Sequence, residues 1–218
     1  MSLEAWLEKN LGLEVPRPWL SRIKKAIELL GQDYGQKKII TIGGTNGKGQ
    51  TSREFYHHAH KRLKAALWTS PHLVSVTERF VIEGKAVDEN HLLLTFKKLR
   101  KIFSENELAL SYYEFLFACF LELSKDCELL VLEVGLGGRF DAVNALDADM
   151  VLLTSIGRDH QDYLGPRLDG ILKEKFQLAR KGSKLISAFE LLYLRQKVEA
   201  LSKELGCDWE DLFQGKKL

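Results

Sequence analysis

Cysteine, proline and methionine are scarce in these 218 residues, at three, four and two copies respectively. Cys119, Cys127 and Cys207 are odd in number and lack metal-ligand spacing, which excludes a disulfide-stapled scaffold and a thiolate zinc site. Reduced thiols are the expectation. No apolar run approaches membrane-spanning length, and the N-terminus mixes Glu4, Glu8 and Lys9 with apolar residues where a leader would be charged and then apolar. A cytoplasmic location follows as the default. Excess charge of one sign is missing too: 32 Lys plus Arg stand against 30 Asp plus Glu, so no global field recruits nucleic acid or an acidic membrane. With no internal repeat, low-complexity tract or Pro/Gly/Ser linker, a single domain over residues 1–218 is expected.

What is present is an alternation of short apolar runs with amphipathic stretches. The Leu3-Trp6-Leu7-Leu11 spacing predicts a short helix, and Pro16 and Pro18 lead into a second from about Trp19 to Leu30. Strands are expected at Lys38–Ile42, Ala66–Thr69, Glu128–Val134, Met150–Ile156 and Lys184–Ala188. Helices are expected from about Lys48 to Ala65, from Asp88 as cap to Phe103, and from Tyr112 to Ser124 with Ser111 and Glu114 as a capping box. Two more cover Leu168–Arg180 and Leu191–Leu205, while Val74 to Ile82 reads as a hairpin-like excursion broken at Glu83-Gly84. Strands separated by helical stretches specify an α/β fold, a mostly parallel sheet with helices on both faces.

The segment Thr41-Ile42-Gly43-Gly44-Thr45-Asn46-Gly47-Lys48-Gly49-Gln50-Thr51 joins the first such strand to its helix. A glycine-rich turn opening a helix aims backbone N–H groups and the positive helix end at one anion, and Lys48 adds a mobile charge. The spacing departs from the strict phosphate-loop pattern, with Gly49 and Gln50 between Lys48 and the hydroxyl of Thr51, so a plain glycine-rich turn stands as the alternative. In parallel sheets ligands sit beyond the carboxyl ends of strands, where Lys48, Ser70, Glu133 and His160 would all lie. Glu133 closes an otherwise apolar strand; its carboxylate needs either Mg2+ beside a polyphosphate or a neighbouring basic residue. The cluster His57-His58-Ala59-His60 lacks an acidic partner at suitable spacing and reads as a solvated helix face, as does the basic stretch Lys97-Lys98-Leu99-Arg100-Lys101.

Taken together, these segments resemble the folylpolyglutamate synthase and dihydrofolate synthase family of the Mur ligase superfamily. The resemblance is carried by Gly44-Thr45-Asn46-Gly47-Lys48-Gly49, Thr69-Ser70-Pro71-His72-Leu73 with Glu78-Arg79, Glu133-Val134-Gly135-Leu136-Gly137-Gly138-Arg139 with Asp141 and Asn144, Asp159-His160, and Glu174-Lys175. It implies a P-loop ligase domain in which ATP phosphorylates a pteroate or folate carboxylate and the amino group of glutamate attacks the acyl phosphate. Thr45, Asn46, Gly47, Lys48, Gly49, Gln50 and Thr51 would contact ATP, while Ser70, Glu133 and His160 would ligate Mg2+. Lys48, His160 and Lys175 would be the catalytic groups, with Lys175 matching the family's carbamylated lysine. Pro71, His72, Glu78 and Arg79 would border the pterin site on a mobile loop, and Arg139, Asp141 and Asn144 would shape the turn beside the metal. Gln50 replaces the family's hydroxyl near the phosphates, Arg158 an apolar residue, and Phe176-Gln177 a small pair. Family members also continue into a C-terminal glutamate-binding domain. The expected partners are therefore small molecules, with the chain acting as a monomer or joined to that second half; a non-catalytic module awaiting a partner and a general P-loop hydrolase are the competing readings.

Overall fold

The computed structural model describes residues 3–11 and 19–213. Pro16, Pro18 and the terminal Lys216-Lys217 fall outside these. In chain order the elements are α1 (Leu3–Leu11), α2 (Ser21–Leu30), β1 (Lys38–Gly43), α3 (Lys48–Ala59), β2 (Ala65–Trp68), β3 (Phe80–Ile82), β4 (Lys85–Ala86), α4 (Glu89–Glu105) and α5 (Tyr112–Leu123). They continue with β5 (Leu129–Glu133), β6 (Met150–Leu153), α6 (Gln161–Leu164), α7 (Leu168–Phe176), β7 (Lys184–Ser187), α8 (Leu192–Leu205) and β8 (Asp208–Asp211). The strands form one eight-stranded sheet in the order β4-β3-β2-β5-β1-β6-β7-β8, parallel from β2 through β8 and antiparallel at β3 and β4. The exits of β2, β5, β1 and β6 therefore lie side by side along one rim.

Alternation along the central strands sends side chains into two cores. Ile40 and Ile42 of β1, Leu129 and Val131 of β5 and Leu67 of β2 pack with Tyr56 of α3. Ile39, Leu130 and Leu132 point the other way, into the larger core shared with α2, α4 and α5. Helix α5 is buried from Glu114 through Leu121, because it is sandwiched between the sheet and its neighbouring helices. Its start is fixed by the expected capping box: Glu114 N–H donates to Ser111 Oγ at 3.3 Å and Ser111 N–H donates back to Glu114 Oε2 at 2.7 Å. Asp88 likewise caps α4 through the N–H groups of Asn90 and His91. Trp68, fully buried at the end of β2, meets the rings of Phe80, Tyr113, Phe117 and Phe120 at centroid distances of 5.5–5.7 Å. Such contacts add about 0.5–1.5 kcal/mol per pair beyond area burial, which anchors the β2 exit.

Several boundaries differ from expectation. Helix α3 stops at Ala59, short of Ala65, because β2 already begins at Ala65 and the intervening residues must turn the chain back to the sheet. Helix α7 ends at Phe176 instead of Arg180; the guanidinium of Arg180 donates to the carbonyls of Gln177, Leu178 and Ala179, wrapping the end of the segment. Strand β6 ends at Leu153, short of the expected Ile156, and Thr154 and Ser155 beyond it form hydrogen bonds with the glycine-rich loop. The edge strand β8 and the short helix α6 were not anticipated.

Candidate functional site at the carboxyl rim

The loop after β1 is built from glycines that clear space for a neighbouring strand. Gly44 has φ of 142°, and a Cβ there would collide with Thr154 Oγ1; Gly47, with φ of 81°, stands as the cap of α3 in a left-handed conformation. Thr45 N–H donates to Ser155 O, and Thr45 Oγ1 both accepts from Gly157 N–H at 2.9 Å and donates to Gly157 O at 3.2 Å. Thr51 N–H closes the first helical bond to Gly47 O, leaving the N–H groups of Gly47, Lys48, Gly49 and Gln50 without a protein acceptor among the described residues. Lys48 Nζ rests on Thr45 O at 3.1 Å, and Gln50 is exposed beside it. An outward-facing helix start with four uncommitted donors is an anion cradle.

Glu133, the last residue of β5, lies against this helix start: a Cβ on Gly49 would sit 3.2 Å from Glu133 Oε1. The residue is 5% exposed, and its carboxylate accepts from Ser70 N–H at Oε2, 3.0 Å away. Burial raises its pKa, against the lowering influence of that N–H and of the Lys48 and Arg53 charges. The alternative of an ion pair is not realised, since no cation lies within pairing distance among the described residues. Ser70 Oγ is buried and makes no hydrogen bond of good geometry, although it stands close enough to the Tyr113 hydroxyl to oppose the rise in that phenol's pKa. An under-satisfied carboxylate beside an orphaned hydroxyl is a donor set that suits a small divalent cation, which takes few protein oxygens and fills the remainder with water or phosphate. By this test the residues present fit Mg2+.

Lys175 projects from α7 and is only 4% exposed, with a long 3.4 Å contact to Gly137 O as its hydrogen bond. Burial first, and the Lys48 charge second, lower its pKa to about 8. The turn it meets is packed tightly, because a Cβ on Gly138 would fall 2.7 Å from Glu174 O. Asp141 shapes that turn: its carboxylate accepts from the N–H groups of Gly135, Leu136 and Val143 and from Tyr113 Oη at 3.2 Å. Burial raises the pKa of Asp141 and pushes up that of Tyr113. Asn144 ties the turn to α7, donating to Arg139 O and Gln177 O and accepting from Arg180. Arg139 itself is exposed, with its guanidinium 4.7 Å from the Phe140 ring centre.

The segment after β2 opens on a cis Ser70-Pro71 bond and folds around one carboxylate. Glu78 accepts from the N–H groups of Leu73, Val74 and Ser75, which lowers its pKa to about 2. Arg79, 1% exposed, donates from Nε to His72 Nδ1 at 2.9 Å and stacks near Tyr112. Leu73 and Val74 at the tip stand 91% and 87% exposed. The loop folds around its own charged side chains, with an apolar tip facing outward.

His160 is not joined to this group by a hydrogen bond or ion pair among the described residues. It has φ of 48°, its imidazole is 52% exposed, and it pairs with Asp159 at 3.6 Å; it makes no hydrogen bond or ion pair with Ser70 or Glu133 among the described residues. His57 and His58 are exposed on α3, and no group of three or more His, Cys, Asp or Glu side chains among the described residues is gathered to hold a metal. Thr154, Ser155 and Tyr113 are members of the rim that the sequence reading passed over. Hydroxyls just beyond a strand carry no periodic signal; only their position after the expected β6 could have marked them.

Comparison with known proteins places this geometry. The Mur ligase middle domain family matches residues 42–188. Dihydrofolate synthase/folylpolyglutamate synthase of Escherichia coli is 32% identical over 217 residues, covering 95% of this chain and 51% of that protein. Escherichia coli FolC in complex with DHPP and ADP superposes with a TM-score of 0.84 at 30% identity, covering 97% of this chain and 51% of that one. The bifunctional folylpolyglutamate synthase/dihydrofolate synthase from Yersinia pestis, complexed with AMPPNP and Mn ion, gives 0.83 at 32%, over 97% and 52%. This chain spans about half the length of the curated relatives it matches.

Proposed function

This chain belongs to the Mur ligase middle domain family, and from that premise we propose that it is the ATP-binding portion of an amide ligase joining glutamate to a pteroate or folate carboxylate. A carboxylate is a poor electrophile; transfer of the ATP γ-phosphoryl group to its oxygen makes an acyl phosphate. The glutamate nitrogen then attacks the acyl carbon, phosphate leaves with the carbon–oxygen bonding pair, and the nitrogen loses a proton. The uncommitted N–H groups of Gly47 to Gln50 and the ammonium of Lys48 bind the β- and γ-phosphates, with Thr45, Asn46 and Thr51 completing the loop. Ser70 and Glu133 would hold Mg2+, with His160 joining them only once its ring turns away from Asp159; the ion when bound neutralises phosphate charge and orients the transferring group. Lys175, poised at about 8, has an appreciable neutral fraction at neutral pH and could take up CO2 as a carbamate, exchanging a buried cation for an anion. Pro71, His72, Glu78 and Arg79 carry the apolar tip that borders the acceptor, and Arg139, Asp141 and Asn144 set the turn beside it.

The observation that carries this reading is the pairing of an open helix start with Glu133 and the orphaned Ser70 hydroxyl on the neighbouring strand exits. Calorimetric titration with ADP and Mn2+ tests it. Wild type should bind the metal–nucleotide pair, and Glu133→Gln should weaken metal-dependent binding by about a hundredfold while leaving metal-free ADP affinity within a few fold. Equal binding of both proteins in the presence of metal would reject it. A second reading, a half-ligase acting with a separate chain, is favoured by the exposed apolar residues Leu191, Leu192, Tyr193 and Leu212 around α8 and the end of β8. Its signature is glutamate-dependent ADP release only after the C-terminal half of a relative is added. The proposed setting is the cytoplasm, supported by three free thiols and by the finding that no described helix is long and apolar enough to cross a membrane.

A further inference from the structure

The peptide linking Asn46 to Gly47 is held from one side. Asn46 O accepts from Thr154 Oγ1 at 2.6 Å and lies 3.1 Å from Ser155 Oγ, while Asn46 N–H donates to that same Ser155 Oγ at 2.9 Å. Thr154 Oγ1 also lies 3.2 Å from Gly43 O, so one hydroxyl bridges the end of β1 and the loop beyond it. It reaches there only because Gly44 has no side chain.

We propose that Thr154 and Ser155 are positioning residues for the phosphate loop, setting which way its N–H groups face; the proposal rests on the nucleotide-binding reading above. A trans peptide is planar, with its C=O and N–H pointing in opposite directions. Pinning Asn46 O against the β6 exit therefore turns Gly47 N–H away from β6, to the side where Lys48, Gly49 and Gln50 present theirs. Without the two hydroxyls the Asn46 carbonyl is free to rotate toward the anion, and a donor is replaced by a repelling acceptor. The neighbouring N–H groups of Thr45 and Asn46 are already committed to Ser155. The grip on phosphate thus begins at Gly47, and Thr45 and Asn46 serve as its fixed base.

The test is binding of ADP and AMP, without added metal, to the full chain and to Thr154→Val, Ser155→Ala, the double variant and the hydroxyl-keeping Thr154→Ser. The loop holds the β-phosphate that AMP lacks. The double variant should lose about tenfold or more in ADP affinity with AMP affinity changed less than about twofold, and Thr154→Ser should stay near wild type. Loss of general packing would instead weaken both nucleotides together, and that result overturns the proposal, as does an unchanged ADP affinity. Amide hydrogen exchange at Thr45 and Asn46, whose N–H groups Ser155 holds in the ligand-free protein, gives a reading independent of nucleotide: faster exchange in Thr154→Val is expected, and unchanged exchange refutes the latch. If wild type binds neither nucleotide, the nucleotide reading itself fails and the positioning role falls with it. Should the double variant fail to fold, the single variants carry the same comparison.

Discussion

The two ends of the sheet are built on opposite principles. At the amino end several polar groups at the strand starts are paired, Gln32 Oε1 and Tyr34 Oη just ahead of β1 being the exceptions. Lys37 Nζ donates to Lys125 O and Cys127 O, Glu128 accepts from Lys64 N–H, and Asp149 accepts from Ile39 N–H while pairing with Lys38. At the carboxyl end Glu133 is under-satisfied, Ser70 Oγ is orphaned, Lys175 is a buried cation with one long contact, and a helix start leaves four N–H groups open. The first end spends its polar groups on stability. The second keeps them in reserve, at a cost the rest of the fold must offset, which is what a ligand site requires.

Asp141 breaks the pattern from within, since it sits at the carboxyl end yet has its carboxylate oxygens engaged by four donors. Asp141→Ala should therefore behave like a structural lesion, costing about 3–5 kcal/mol of stability and lowering the thermal midpoint by roughly 10 °C. An unchanged midpoint in differential scanning calorimetry would remove it from the structural class. Lys175 belongs to the reserve class, and its depressed pKa gives a sign that can be checked. The unfolded chain holds a proton on this amine that the folded chain releases between about 8 and the ordinary lysine value, so stability rises with pH across that window. In bicarbonate-free buffer Lys175→Met should be more stable than wild type at pH 7, by on the order of 3 kcal/mol, and the gap should shrink above pH 8. A gap independent of pH would contradict the buried-cation account.

Smaller effects sharpen the contrast at the other end. Asp149→Ala removes the acceptor of Ile39 N–H and should cost about 1–2 kcal/mol in urea unfolding, with no change in ADP affinity. A change in affinity would mean that the amino end also serves the ligand. Least of all, the double substitution of His57 and His58 by Ala should alter stability by less than about 0.5 kcal/mol. Mn2+ binding followed by electron paramagnetic resonance should be the same with and without these imidazoles.

The sequence carried more of the scaffold than of the site. Apolar runs marked β1, β2 and β5 because those strands are buried on both faces, and β6 and β7 because one face is buried and the other half-buried; Ser111 with Glu114 announced its helix because capping is local chemistry. Strand β8 carries no apolar run: Asp208-Trp209-Glu210-Asp211 lies at the sheet edge, where Asp208 and Glu210 meet water and Asp211 pairs with Arg195. The proximity of Gly49 to Glu133 was legible from the topology of parallel sheets. The clasp of Thr154 and Ser155 on Asn46 was not, since it depends on side-chain geometry between loops more than a hundred residues apart. The same holds for His160, whose left-handed backbone turns its ring to Asp159 and solvent.

Whether the reserved groups at the carboxyl end form one ligand site can be read most directly from backbone amide chemical shifts as ADP with Mg2+ is added. The account predicts large perturbations at Gly47 to Gln50, Ser70 and Gly135, with Lys38, Lys64 and Glu128 silent. Perturbations centred on the amino end, or none at the carboxyl end under saturating nucleotide, would contradict it.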